Sequence, residues 1–100
     1  MKINTSKIKT YVGFAVKSRK IRFGVDDILK LKSANLIIIS ESLADSGMKK
    51  IEGFAKRESI DLIKLSEDTF LEIIQNISIK ATAILDINLA EAIKKNLTNV

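Results

Sequence analysis

Apolar residues recur at helical spacing from Ser6 to Ser18. Ile8, Tyr11, Val12, Ala15 and Val16 stand at i, i+3, i+4, i+7 and i+8, one stripe along a helix. Thr5 or Ser6 is placed to cap it. From Lys20 to Phe23 the pattern changes to alternation, with Ile21 and Phe23 apolar, which predicts a brief strand with one wet face. Gly24 punctuates the chain, and residues 25–32 read as a second helix with Val25, Ile28 and Leu29 inward. Leu36 to Ile39 is an unbroken apolar run, the signature of a strand buried on both faces. Residues 40–46 form a polar loop that ends in a helix cap.

The second half follows the same logic. A helix from about Gly47 to Glu58 buries Met48, Ile51, Phe54 and Ala55, and Asp61 to Leu65 is a strand. Ser66 caps a helix with Phe70, Ile73, Ile74 and Ile77 inward, and Ala81 to Asp86 is another strand. Asn88, with Glu91 three residues on, resembles a capping box for a last helix that buries Leu89, Ala92, Ile93 and Leu97. The order αβαβαβαβα implies a small sheet covered by helices on both faces.

Composition narrows the function. The 100 residues are 46% apolar, enough for the core of a single domain spanning 1–100. The longest apolar runs fall far short of the roughly 20 residues of a membrane span. The first residues include Lys2 but no apolar stretch followed by a small-residue cleavage site, so a cytoplasmic protein is expected. Cys and His are absent, which removes disulfides, thiol and imidazole chemistry and nearly all zinc sites. The paired carboxylates Asp26–Asp27 and Glu67–Asp68 are sequence neighbours that diverge on a helix and suit its first turn. No enzyme and no cofactor are expected. Of five aromatics, four fall at core positions, so no stacking platform for single strands is expected.

Charge then points to a partner. Residues 1–35 hold nine Lys and Arg against Asp26 and Asp27, a net of +7, whereas residues 36–100 are net −2. Such asymmetry suits a polyanion as well as a solvated basic surface. Lys17, Arg19, Lys20 and Arg22 put four cations within six residues, just before Gly24 and a helix start. A glycine admits another backbone closely, and first-turn amides point at an anion. Asp26, Asp27 and Lys30 share one helix face, where a carboxylate can accept from a guanine edge and an ammonium can meet a base or phosphate. On the residues alone, the simpler reading is preferred: Asp26 and Asp27 stabilise the helix start and Lys30 pairs with Asp26 in solvent.

Tyr11-Val-Gly-Phe-Ala-Val-Lys-Ser-Arg-Lys-Ile-Arg-Phe-Gly24 resembles the opening of the L-seven-Ae type ribosomal proteins, notably their short bacterial members. Ala34 to Ser40 resembles their central strand, Asp45 to Ile51 their next helix start, and Ala81 to Ala90 their last strand and helix. The resemblance implies a three-layer α-β-α sandwich with a small mixed four-stranded sheet that binds kink-turn RNA. It implies structured RNA, ribosomal or kink-turn-like, as partner, with no DNA, no membrane and a monomer. Lys17, Arg19, Lys20 and Arg22 would hold phosphates, and Gly24 would admit the RNA backbone. Asp27 would read a guanine, Lys30 would contact base or phosphate, and Ile79 with Lys80 would form a second edge. Three departures from the family pattern stand out. Asp26 replaces an amide or Lys, Arg19 replaces a Gly, and a Gly-Lys is missing from the tract Gln75 to Lys80. A family member that has lost kink-turn recognition and serves as a protein-interaction or ribosome-accessory module is the alternative.

Overall fold

The structure, a computed structural model, describes residues 3–97, and Lys2 lies outside them. Nine elements follow in order. They are α1 (Thr5–Lys17), β1 (Ile21–Phe23), α2 (Val25–Leu29), β2 (Leu36–Ser40), α3 (Asp45–Arg57), β3 (Leu62–Leu65), α4 (Glu67–Ile74), β4 (Ala81–Ile84) and α5 (Ile87–Lys95). The strands form one sheet in the order β1-β4-β2-β3, and the sheet is mixed. β1 and β2 both run antiparallel to β4, while β2 and β3 are parallel.

Strand periodicity sorts the core into two layers. Leu36 and Ile38 of β2 pack with Ile8, Val12, Phe70, Ile73 and Ile93 beneath α1, α4 and α5. Ile37 and Ile39 point the other way and pack with Ile28, Ile51 and Phe54 of α2 and α3. The result is the three-layer α-β-α sandwich.

Local chemistry moved several boundaries. Asn4, rather than Thr5 or Ser6, caps α1 by accepting from the Lys7 amide at 3.1 Å. Val16, expected in the buried stripe, is 50% exposed. α2 ends at Leu29 instead of 32, because the Lys30 and Leu31 amides bond to the Asp27 and Ile28 carbonyls three residues back and tighten the chain out of α geometry. α4 stops at Gln75, which takes a left-handed φ of 61° and donates its amide to the Leu71 carbonyl at 2.7 Å. The turn throws Ile77 out of the expected stripe, and it is 70% exposed. Asp86, not Asn88, caps α5 by accepting from the Leu89 amide at 3.0 Å, so β4 ends before it.

Candidate functional site

The β1–β4 ladder fixes the geometry of the site. At one end the Gly24 amide donates to the Ala81 carbonyl at 2.9 Å, and the Ser40 amide donates to the Lys80 carbonyl at 2.9 Å. Gly24, the start of α2 and Lys80 therefore meet at one edge of the sheet, as the sequence reading required. At the other end the Leu85 amide donates to the Lys20 carbonyl at 2.8 Å. Lys17, Arg19 and Lys20 belong to that opposite end. The extended chain from Lys20 to Gly24 spans about 13 Å, with Arg22 between. The expected single cluster is thus a strip along β1.

Each side chain has a distinct setting. Lys17, Arg19, Lys20 and Arg22 are all exposed. The Arg22 guanidinium donates to the carbonyl of Ile21 at 2.9 Å and weakly to that of Arg19 at 3.4 Å. Every ion pair among the described residues lies between Glu52 and Lys94, so none engages these four cations. Arg19 itself sits at φ 59°, a left-handed backbone that disfavours any residue with a Cβ.

Gly24 has φ 89° and ψ 149°, a region open essentially to glycine alone. It caps α2 without a side chain. α2 has only five residues, and Asp26 and Asp27 already occupy its first turn. The negative charges there oppose an incoming anion, so the expected amide cradle for phosphate is weaker than its sequence suggested. Asp26, Asp27 and Lys30 are exposed, and the expected solvent pairing of Lys30 with Asp26 does not form.

The second edge is built differently from its expected form. Ile79 is half-buried and packs against the core, so the exposed apolar side chain of this loop is Ile77. Lys80 is half-buried and reaches Glu67 at 3.3 Å, which offsets part of its charge. The Lys80 ammonium and the Ser42 hydroxyl hydrogen-bond the Glu67 carboxylate and hold it below the usual carboxylate range. Ser40 and Ser42 share a hydrogen bond of 2.7 Å beside it. Ser40, Glu67, Phe70, Ile77 and Lys80 help line a shallow cleft with an enclosed volume of only about 10 Å³. That is below the roughly 300 Å³ of a small-molecule pocket. Among the described residues no cluster of acidic side chains is placed to hold a metal ion.

Sequence reasoning missed two features. Phe14 of α1 is 51% exposed, although the helix around it is well packed. The outward face of α3 carries Lys49, Lys50, Lys56 and Arg57, hidden in a segment whose net charge is negative. Plotting α3 at 100° per residue exposes that face, because its two carboxylates, Asp45 and Glu52, fall on its flank.

The fold defines a class, the small α-β-α sandwich with a mixed sheet and a basic edge strand. No family model matches the chain, and no curated protein does. Among solved structures, a protein of unknown function from Bacillus halodurans matches with a TM-score of 0.77 at 15% identity, over 91% of this chain and 96% of its own. That likeness concerns the fold alone. No helix among the described residues is long and apolar enough to cross a membrane.

Proposed function

We propose that the chain is a non-catalytic RNA-binding protein of the cytoplasm, monomeric and ribosome-associated, which holds structured RNA of the kink-turn kind. One observation carries this: residues 3–25 hold six Lys and Arg and no carboxylate, and none of the six enters an ion pair. Cations without a carboxylate partner, set along α1, the turn after it and β1, are available to phosphates. Arg19 and Gln75 stand in the two tracts where the L-seven-Ae type proteins carry glycine, and both are left-handed, at φ 59° and 61°, as is Ser59 after α3, so the geometry is that of helix ends in general. In this reading Lys17, Arg19, Lys20 and Arg22 position the RNA backbone along β1. Asp27, Lys30 and Lys80 meet bases at the Gly24 end.

Titration against a kink-turn RNA at rising salt tests it. Contact with four to six phosphates gives a slope of log affinity on log salt of about −4 to −5. Lys20→Glu weakens every RNA by a similar factor, since phosphate contacts position without specifying. A flat salt profile refutes the proposal. Asp26 favours a second reading, a protein-interaction or ribosome-accessory module. Its carboxylate is exposed without a counter-ion at the very point where the RNA would enter. Wild type that ignores replacement of the guanine–adenine pairs, together with an equally indifferent Asp26→Asn, decides for that module.

A further inference from the structure

Phe14 stands on the outer side of α1, and among the described residues it is the one aromatic classed as exposed. Ile8, Val12 and Ala15 give the helix its buried stripe against α4 and α5, and the ring of Phe14 lies off that stripe. Its neighbours one turn away are Thr10, Tyr11, Lys17 and Ser18. The Thr10 and Ser18 hydroxyls are turned to backbone carbonyls, Ser18 to that of Phe14 itself at 2.9 Å. Lys17 remains free of any ion pair, and Arg19 and Lys20 follow at the end of the helix, equally free. The combination is an aromatic face bordered by unpaired cations in a stretch with no carboxylate.

The size of the apolar patch selects its occupant. The next exposed apolar side chain of α1, Val16 at 50%, projects about 200° around the helix from Phe14 and cannot join it. A protein interface needs about 800 Å² from each partner with an apolar centre. One ring with cations beside it matches a single base and its phosphates. We propose that Phe14 is a stacking platform for an unpaired RNA base, with the adjoining phosphates held by Lys17 and Arg19. This deepens the RNA-binding reading and rests on it. It extends the bound RNA from the structured element on β1 to a single-stranded flank running over α1.

The test compares a blunt kink-turn hairpin with the same hairpin carrying a short oligouridine tail. Wild type is expected to bind the tailed RNA more tightly, and Phe14→Ala to lose roughly five- to hundredfold in affinity for it while binding the blunt RNA unchanged. Phe14→Leu keeps apolar area but no π face, so it behaves as Phe14→Ala. Phe14→Trp keeps the face. The chain has no other Trp, so quenching of its indole emission by oligouridine reads the stacking directly. Equal binding of both RNAs by wild type and all three variants overturns the stacking platform and leaves the parent reading standing. Failure of wild type to bind either RNA overturns both. A concentration-dependent dimer that Phe14→Ala abolishes, with no effect of the tail, assigns the ring to a second copy of the chain and refutes the base.

Discussion

Arg19→Gly is expected to strengthen the fold and weaken the site together. Arg19 holds φ 59° at the end of α1, and a Cβ in left-handed backbone costs about 1–2 kcal/mol. Glycine removes that clash but gains freedom in the unfolded chain, which takes back about 0.5–1 kcal/mol. The balance is a stabilisation of about 0.5–1 kcal/mol. For a domain of this size that raises Tm by about 3–6 °C. The side chain forms no ion pair, and the weak bond from Arg22 ends on the Arg19 carbonyl, which glycine retains. Nothing in the fold is therefore lost. The RNA loses one cation, so the salt slope becomes shallower by about 0.9. Arg19→Ala supplies the control: it loses the same charge but keeps the Cβ, so it matches Arg19→Gly in slope and melts at or below wild type. Thermal melts followed by circular dichroism and anisotropy titrations at several salt concentrations read both quantities. Arg19→Gly melting no higher than Arg19→Ala would refute the strain. A slope unchanged in both variants would refute the phosphate contact.

Three further outcomes are expected. Asp26→Asn tightens binding to a standard kink-turn RNA tenfold or more, a gain of at least about 1.4 kcal/mol, because an amide can donate where the carboxylate only accepts; a mutant titrating like wild type speaks against that contact. Ile38→Ala removes a fully buried side chain of the central sheet and destabilises by roughly 2–5 kcal/mol in urea melts, whereas Ile77→Ala, at a 70% exposed position, stays within about 0.5 kcal/mol. Glu67 is held below its ordinary pKa by Lys80 and Ser42, so its contribution to stability is present above the ordinary carboxylate range and fades as pH falls through the depressed value. Wild type and Glu67→Gln should accordingly differ near neutral pH and converge in acid; a gap that widens in acid reverses the sign of the reasoning.

Periodicity located every element, because each strand and helix must bury a face and the residues say which. The β2 run from Leu36 to Ile39 read as buried on both sides, and it feeds both cores. The same logic failed where a backbone turn outweighed a stripe. Ile77 continues the spacing of Phe70, Ile73 and Ile74, but the left-handed Gln75 ends the helix first. Val16 and Phe14 lie at the rim of α1, where exposure depends on how far α4 and α5 reach over it. Juxtaposition of Gly24 and Lys80 was legible only through the family resemblance, since no local pattern reports which strands pair. The distance between Lys20 and Gly24, by contrast, was legible, because the expected strand from Lys20 to Phe23 separates them by its own length. The Lys80–Glu67 pair was invisible, joining residues 13 apart across α4 and the loop after it.

The strand order has a consequence for biosynthesis. β4 is the last strand made, yet it lies between β1 and β2, with Ile84 opposite both Ile21 and Leu36. Until it emerges, β1 has no partner in the sheet and Gly24 has no Ala81 carbonyl to bond. A nascent chain halted before Ala81 can pair β2 with β3 but leaves a raw edge on β2 and its cationic segment untethered. Closure must wait for contacts about 60 residues apart in sequence, which slows folding relative to local pairing. The cationic strip therefore cannot mature strand by strand during synthesis. It appears in one step, when the late strand slots into the middle of the sheet.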